Sequence, residues 1–321
     1  MKKTTRTLLG IGGAFCLIGA LLFGIGFMSG GTKYVHDTNL NSMNAQEDNK
    51  ESANRFTLKK TEIPDFTSLN INLEDSDLNI EESPNEKSYI EYAQATKDKK
   101  NPVSYSIENG TLTLKEAGNT GASYYINVDI SFLQAALSSK NIEDYTKESS
   151  KYENYVTLYL PKDKLVSSAK IYLGYGDFYV KNATFDTTNI KLDDGDFDAN
   201  TLTANSGKLT FSYGDCDLQK ASLGNISLTS KDGDLTVNEL TLSGKTKIAL
   251  SYGDAEITLN DSTKKVSGFD LATHYGTITA SGLNGNKTVD EDDDVNTFQS
   301  DSKDGKTKLA IDSKDGDITV K

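Results

Sequence analysis

The dipeptide Gly-Asp returns along this chain on a fixed beat. It falls at Gly176, Gly195, Gly214, Gly233 and Gly253, at intervals of 19, 19, 19 and 20 residues. A conventional sandwich needs no single dipeptide at constant spacing. A chain that coils, one repeat per turn, does. Aligned on the glycine, the apolar residues fall into columns. Five and three residues before it stand Ile171 and Leu173, Ile190 and Leu192, Leu209 and Phe211, and Ile248 and Leu250. Two and four after it stand Phe178 and Val180, Leu235 and Val237, and Ala255 and Ile257. Seven and nine after it stand Ala183 and Phe185, Ala221 and Leu223, and Leu240 and Leu242. Each pair alternates with period two, the mark of a strand with one buried face. The parity breaks between pairs mark corners.

The expected fold is all-β: a β-solenoid with turns of 19 to 20 residues, each made of three short strands and three bends. One turn cannot bury its own apolar side, but stacked turns can. Glycine tolerates positive φ at the corner, and the Asp after it can accept a hydrogen bond from a turn N–H. The beat frays at both ends. "INLEDSDLNIEES" at 71–83 reads as one more turn with Ser76 in the glycine position. "LATHYGTITASG" at 271–282 reads as another around Gly276, and "IDSKDGDITVK" closes the chain around Gly316. The stretch from 84 to 155 reads as a loose first turn with an irregular insertion at about 119–152, where "SFLQAALSSKNIEDYTKESS" suits a short helix. "VDEDDDV" at 289–295 lacks the Gly and terminal Glu of an EF-hand loop and reads as a solvated loop. Either the acidic stretch from Val289 to Asp304 folds over the bare last turn and discourages edge-to-edge growth, or the bare end is a docking surface.

Ahead of Lys33 the only charges are Lys2, Lys3 and Arg6, and an uncharged run from Thr7 to Thr32 follows them. About 20 apolar residues cross a bilayer as a helix. The run is longer than the core of a signal peptide and has no clean small-x-small cleavage site, which favours an uncleaved anchor over the rival reading of a cleaved leader. The basic head belongs in the cytoplasm. The expected organisation is a head at 1–6, a transmembrane anchor at 7–32, a flexible polar stalk at 33–62 and an extracellular domain at 63–321. The chain is thus expected in the cell membrane as a single-pass protein.

The formal charge is −13, and −13 − 3 leaves −16 once the basic head is set apart. Arginine occurs only at Arg6 and Arg55, so the repeats have none. That balance argues against nucleic acid, which needs clustered Lys and Arg, and against docking on anionic headgroups. Cys16 and Cys216 are the only cysteines; one lies in the apolar run and the other in a repeat, so no intrachain disulfide is expected.

Two columns carry the candidate sites. The residue before each glycine alternates: Tyr175, Asp194, Tyr213, Asp232, Tyr252. Such alternation spaces charge at a corner, and it would also set Tyr175, Tyr213 and Tyr252 in an exposed stripe for a glycan or peptide. The residue after each glycine is always Asp: Asp177, Asp196, Asp215, Asp234 and Asp254. Stacked carboxylates could hold Ca²⁺, which takes six to eight oxygens. Calcium-binding solenoids, however, repeat a Gly-rich nonapeptide that is missing here, so solvated turn aspartates are the plainer expectation and no cofactor is expected. There is no nucleophile elbow, phosphate loop or zinc spacing. His36 and His274 fall in the stalk and at a corner. An enzyme is not expected.

"SLNINLEDSDLNIEE", the "YVTLYLPKD" that leads into the first full repeat, and the recurring Gly-Asp-apolar-x-apolar resemble an adhesin-like family of unknown function. That family includes LiaG-like proteins of Gram-positive bacteria. The resemblance runs from about Ser68 to the C-terminus, with the insertion as its departure. It implies a membrane-tethered envelope protein with a β-solenoid ectodomain and brings no catalytic residue. The function expected is a scaffold or sensor at the cell envelope, of the kind that serves an envelope-stress response. The alternatives are an adhesin-like module that binds glycan or protein through its corners, and a calcium-dependent surface protein. The expected partners are the cytoplasmic membrane, through the N-terminal helix, and an envelope protein or glycan.

Overall fold

The computed structural model describes residues 55–95, 101–117, 154–290, 292 and 294–321. The expected anchor at 7–32, Cys16, His36 and the insertion with its short helix lie outside these residues. Among the described residues no helix is long and apolar enough to cross a membrane. Residues Phe56 to Lys321 form one unit.

Seven strands build its first end: β1 (Arg55–Ile63), β2 (Ser68–Leu73), β3 (Asp77–Glu82), β4 (Ser88–Ala95), β5 (Val103–Glu108), β6 (Thr111–Glu116) and β7 (Tyr155–Leu160). Regular turns follow. They are β8 (Leu165–Tyr175) with β9 (Phe178–Val180), β10 (Ala183–Asp194) with β11 (Phe197–Ala199), and β12 (Leu202–Tyr213) with β13 (Cys216–Leu218). Next come β14 (Ala221–Asp232) with β15 (Leu235–Leu242), and β16 (Lys245–Tyr252) with β17 (Ala255–Leu259). A short helix, α1 (Asp261–Val266), precedes β18 (Gly268–Thr273), β19 (Ile278–Ala280), β20 (Asn286–Asp290), β21 (Val295–Ser300), β22 (Lys308–Ser313) and β23 (Ile318–Val320).

Most regular turns therefore hold two strands, not the three expected. The long strand bends without breaking its hydrogen bonds. In β10, Ala183 and Phe185 are buried, then Asp186 and Thr187 both face solvent, and burial resumes at Thr188, Ile190 and Leu192. The parity break is real, but parallel pairing continues through it: Thr187 still faces Ser168 and Ser206 in the neighbouring turns. Glycine serves this bend too. Gly207 has φ of 128°, and a Cβ there would lie 1.9 Å from the Thr188 carbonyl oxygen.

Pairing is parallel and in register, so like stacks on like. Ile190 lies between Ile171 and Leu209, and Phe197 between Phe178 and Cys216. The rings of Phe178 and Phe197 stack with centroids 5.0 Å apart, and Phe211 tilts against Phe197 at 5.6 Å. Bulk is traded across the corner. One turn carries Leu192 and Phe197, and the next carries Phe211 and the small Cys216, all buried. Burying such a large side chain is worth roughly 1.5–3 kcal/mol.

At the first end, β2 and β3 stack on β8 and β9, confirming "INLEDSDLNIEES" as a turn. Their other edges pair with β6 and β7. Antiparallel partners then close this end: β5 on β6, and β4 on β7. Strand β1, which pairs with β4, lies largely within the segment expected to be stalk.

The far end departs from sequence order. β22 and β23, the last strands of the chain, insert between β16 and β17 on one side and β18 and β19 on the other. The final Gly-Asp is therefore an inner turn, and the end of the chain is not the end of the coil. β21 closes the outer turn by pairing antiparallel with β18, and β20 pairs with β21. Of the acidic run, Val289 and Asp290 end β20, Val295 starts β21, and Asp292 and Asp294 lie in the turn between these strands. The turn around Gly316 is covered by β18 and β19 instead, and the outer turn of β18 is closed by β21, a strand rather than a loop.

Candidate functional site

Every turn brings its Gly-Asp corner to the same line. In space the corners run Ser76, Gly176, Gly195, Gly214, Gly233, Gly253, Gly316, Gly276, each packed on the one before. A Cβ on Gly214 would lie 2.3 Å from the Gly195 carbonyl oxygen, and one on Gly233 2.0 Å from that of Gly214. Gly195, Gly214, Gly233, Gly253 and Gly316 adopt positive φ as expected, between 119° and 146°. Gly176 and Gly276 do not. There the close approach alone excludes a side chain, 2.5 Å from the Ser76 oxygen and 2.0 Å from that of Gly316.

The aspartates after these glycines form a ladder. The sequence suggested a bond within each turn, but the donor is the next turn. Asp77 Oδ1 accepts from the N–H of Asp177 at 2.9 Å, and Asp177 Oδ1 from that of Asp196 at 2.9 Å. Asp196, Asp215 and Asp234 accept in the same way from Asp215, Asp234 and Asp254, each at 2.8 Å. Asp254 accepts from Asp317 at 2.7 Å, and Asp317 from Thr277 at 2.7 Å. Hydrogen bonds to an ionised acceptor are about twice as strong as neutral ones, so each carboxylate staples two turns. Among the described residues no three His, Cys, Asp or Glu side chains are grouped to hold a metal ion.

Glu116 finishes the corner line at its first end. Its carboxylate accepts from the N–H groups of Glu74 (2.7 Å) and Asp75 (2.9 Å), from Ser76 Oγ (3.1 Å) and from Gln94 Nε2 (3.0 Å). Burial pushes its carboxyl above the ordinary range, although these donors oppose the rise.

The residues before the glycines form the second column. Read in spatial order they are Asp75, Tyr175, Asp194, Tyr213, Asp232, Tyr252, Asp315 and Tyr275. The registers Tyr175 to Asp194, Tyr213 to Asp232 and Asp232 to Tyr252 carry it inward. The N–H of Gly253 then donates to the Asp315 carbonyl at 3.1 Å. Alternation is thus unbroken over eight turns. Along the sequence it fails, because Tyr275 follows Tyr252 without an acid between. The inserted turn supplies Asp315 and restores it. Tyr275, absent from the sequence-based set, was visible only as the residue before Gly276.

Tyr175, Tyr213, Tyr252 and Tyr275 are 59%, 58%, 61% and 69% exposed. They are the only aromatic residues among the exposed large apolar side chains of the described residues. Strand spacing of about 4.8 Å sets them about 9.6 Å apart, with a carboxylate at each midpoint. The surroundings are acidic. Burial pushes the Asp198 carboxyl up, and Asp217, Asp196, Asp177 and Asp215 push it further by repulsion. His274 sits beside Tyr275, where its N–H donates to the Ser313 carbonyl at 3.1 Å.

Residues 66–321 match the toastrack family DUF4097. None of the curated proteins matches the chain. Among solved structures, a candidate cell-adhesion protein from Clostridium sporogenes is 13% identical with a TM-score of 0.36, over 83% of this chain and 97% of that one. A candidate adhesin from Bacteroides fragilis is 11% identical with a TM-score of 0.40, over 84% and 99%. Another from Parabacteroides distasonis is 10% identical with a TM-score of 0.39, over 83% and 96%.

Proposed function

The chain belongs to the toastrack family DUF4097, and we propose that it is a non-enzymatic, adhesin-like binding module. In this proposal residues 7–32 anchor it in the cell membrane and the coil stands outside. The observation that carries the proposal is the aromatic stripe, whose alternation with Asp is continuous only because the last turn of the chain is inserted. A corner needed only for turning has no use for four exposed phenols at even spacing. The aspartate ladder keeps that spacing fixed, so an extended ligand meets a preorganised row and loses little binding free energy to ordering it. An occupied stripe would let the coil act as a scaffold or sensor at the envelope. No metal or cofactor enters: the carboxylates of Asp177, Asp196, Asp215, Asp234 and Asp254 serve as staples.

The test compares the full chain with a triple variant, Tyr175→Ala, Tyr213→Ala and Tyr252→Ala, on glycan and peptide arrays. Binding by the parent and its loss in a folded variant is the expected result. Equal binding by both sinks the stripe as the binding surface. Mass spectrometry of the mature N-terminus tests the anchor, which predicts an intact segment through 7–32.

A further inference from the structure

We propose that the tyrosine stripe takes a basic peptide in the polyproline-II conformation, with a three-residue repeat that carries proline and a Lys or Arg. This rests on the stripe being the binding surface.

Spacing selects the conformation. The tyrosines stand about 9.6 Å apart, two strand spacings. A polyproline-II helix repeats every three residues and rises about 3.1 Å per residue, so equivalent side chains recur about every 9.3 Å. From Tyr175 to Tyr275 the mismatch accumulates to only about 1 Å. An extended strand presents side chains on one face about every 6.8 Å, and an α-helix turns every 5.4 Å or so. Neither keeps step with the rings. Aromatic rows are also the surfaces on which proline-rich segments dock, because the peptide is already ordered before it binds.

Charge selects the side chains. Asp194, Asp232 and Asp315 occupy the gaps between the rings. One residue beyond the glycines runs the unbroken ladder of Asp177, Asp196, Asp215, Asp234, Asp254 and Asp317. In sequence, Lys231 and Lys314 each stand one residue before an Asp of the stripe. A Lys or Arg in every triplet meets a carboxylate midway between rings and a phenol face on either side, where cations are also attracted. An acidic polymer is repelled, and a neutral one leaves the carboxylates unanswered.

The test measures affinity of the full chain for synthetic peptides at physiological salt. The probes are four Pro-Pro-Lys triplets, four Gly-Gly-Lys triplets and four Pro-Pro-Glu triplets. A β-1,4-linked glucan oligosaccharide is the non-peptide comparison. The Pro-Pro-Lys peptide should bind at least about tenfold tighter than either other peptide, and Tyr213→Ala should weaken it about tenfold or more. Asp232→Asn, an exposed change, should weaken it and flatten its salt dependence. Equal binding of the Pro-Pro-Lys and Gly-Gly-Lys peptides means that charge alone is read, and overturns the proposal. Binding of the glucan in place of any peptide, with loss on Tyr213→Ala, overturns the ligand class but keeps the stripe as the binding surface. If no probe depends on Tyr213, the stripe itself fails.

Discussion

The N–H of Asp317 donates to the Asp254 carboxylate at 2.7 Å across 63 residues of chain. It is the same bond that Asp254 makes to Asp234, 20 residues away. The ladder therefore joins neighbouring turns without regard to their order in the sequence, and the turn that holds Asp317 is flanked on both sides.

Ending the chain at Lys306 should do more than trim the coil. It removes one of the two partners of β16, β17 and β18, and the strand that β19 pairs with. Hydrogen exchange should show lost protection through β18, β19 and β21. Full protection of these strands in the truncated chain would mean that β22 and β23 are peripheral.

Gly207 and Gly282 both have positive φ, 128° and 71°. Nothing would lie within 4 Å of a Cβ on Gly282, whereas one on Gly207 would collide with the Thr188 backbone. Gly282→Ala should cost about 1 kcal/mol through backbone strain alone. Gly207→Ala should cost clearly more, about 3 kcal/mol. Equal costs in urea denaturation would remove the close approach as the reason for glycine at the bend.

Two carboxyl groups should respond to pH with opposite signs. Hydrogen bonds from Ser302 and Thr307 hold Asp304 well below the usual carboxylate range. Its stabilising effect is present above the ordinary Asp value and is lost as pH falls below it. Glu116 is raised, chiefly by burial. Its favourable contribution is complete below the ordinary Glu value and declines as pH rises through the higher folded value. Glu116→Gln should therefore gain on the parent as pH rises from about 3 to 7, and Asp304→Asn should blunt the acid loss. Denaturation midpoints decide both, from about pH 3 to 7 for Glu116 and from about pH 4 downward for Asp304. A stability gap independent of pH contradicts either claim.

Cys216 is buried, and burial pushes its thiol up, away from the reactive thiolate. In a Cys16→Ser background it should resist alkylation until the coil opens. Cys216→Phe should overpack the turn by about 1–3 kcal/mol. Adding Phe211→Leu recreates the Leu192 and Phe197 pairing of the neighbouring turn and should recover part of the loss. Additive costs in thermal denaturation would break the idea of bulk traded across the corner.

The coil was legible because one constraint repeats. Gly-Asp at 19 residues fixes a corner, and the apolar columns around it fix which faces are buried. Ser76 could be placed without any glycine. Less visible was the bend at Asp186 and Thr187, since a parity break looks the same whether a strand ends or only curves. The insertion of β22 and β23 left no local mark at all, because any Gly-Asp turn can stack on any other. For that reason Tyr275 and Asp315 dropped out of an alternation counted along the chain. The aspartate ladder was half visible: the residue type was clear, but the donor lies a whole turn away.

The inserted turn also sets a timetable. In a stacked coil each turn contacts only its neighbours, so during synthesis a turn can dock as soon as the one before it is made. Here β18 and β19 are made before the strands that must sit beneath them. Until Lys308 to Lys321 arrives, the edges of β16 and β17 stay unpaired. Closure then brings together segments more than sixty residues apart, a costly contact in loop entropy and a slow one in rate. The final residues act as a keystone. An interrupted chain should not be a shorter coil but an unfinished one, with a sticky edge open to other chains.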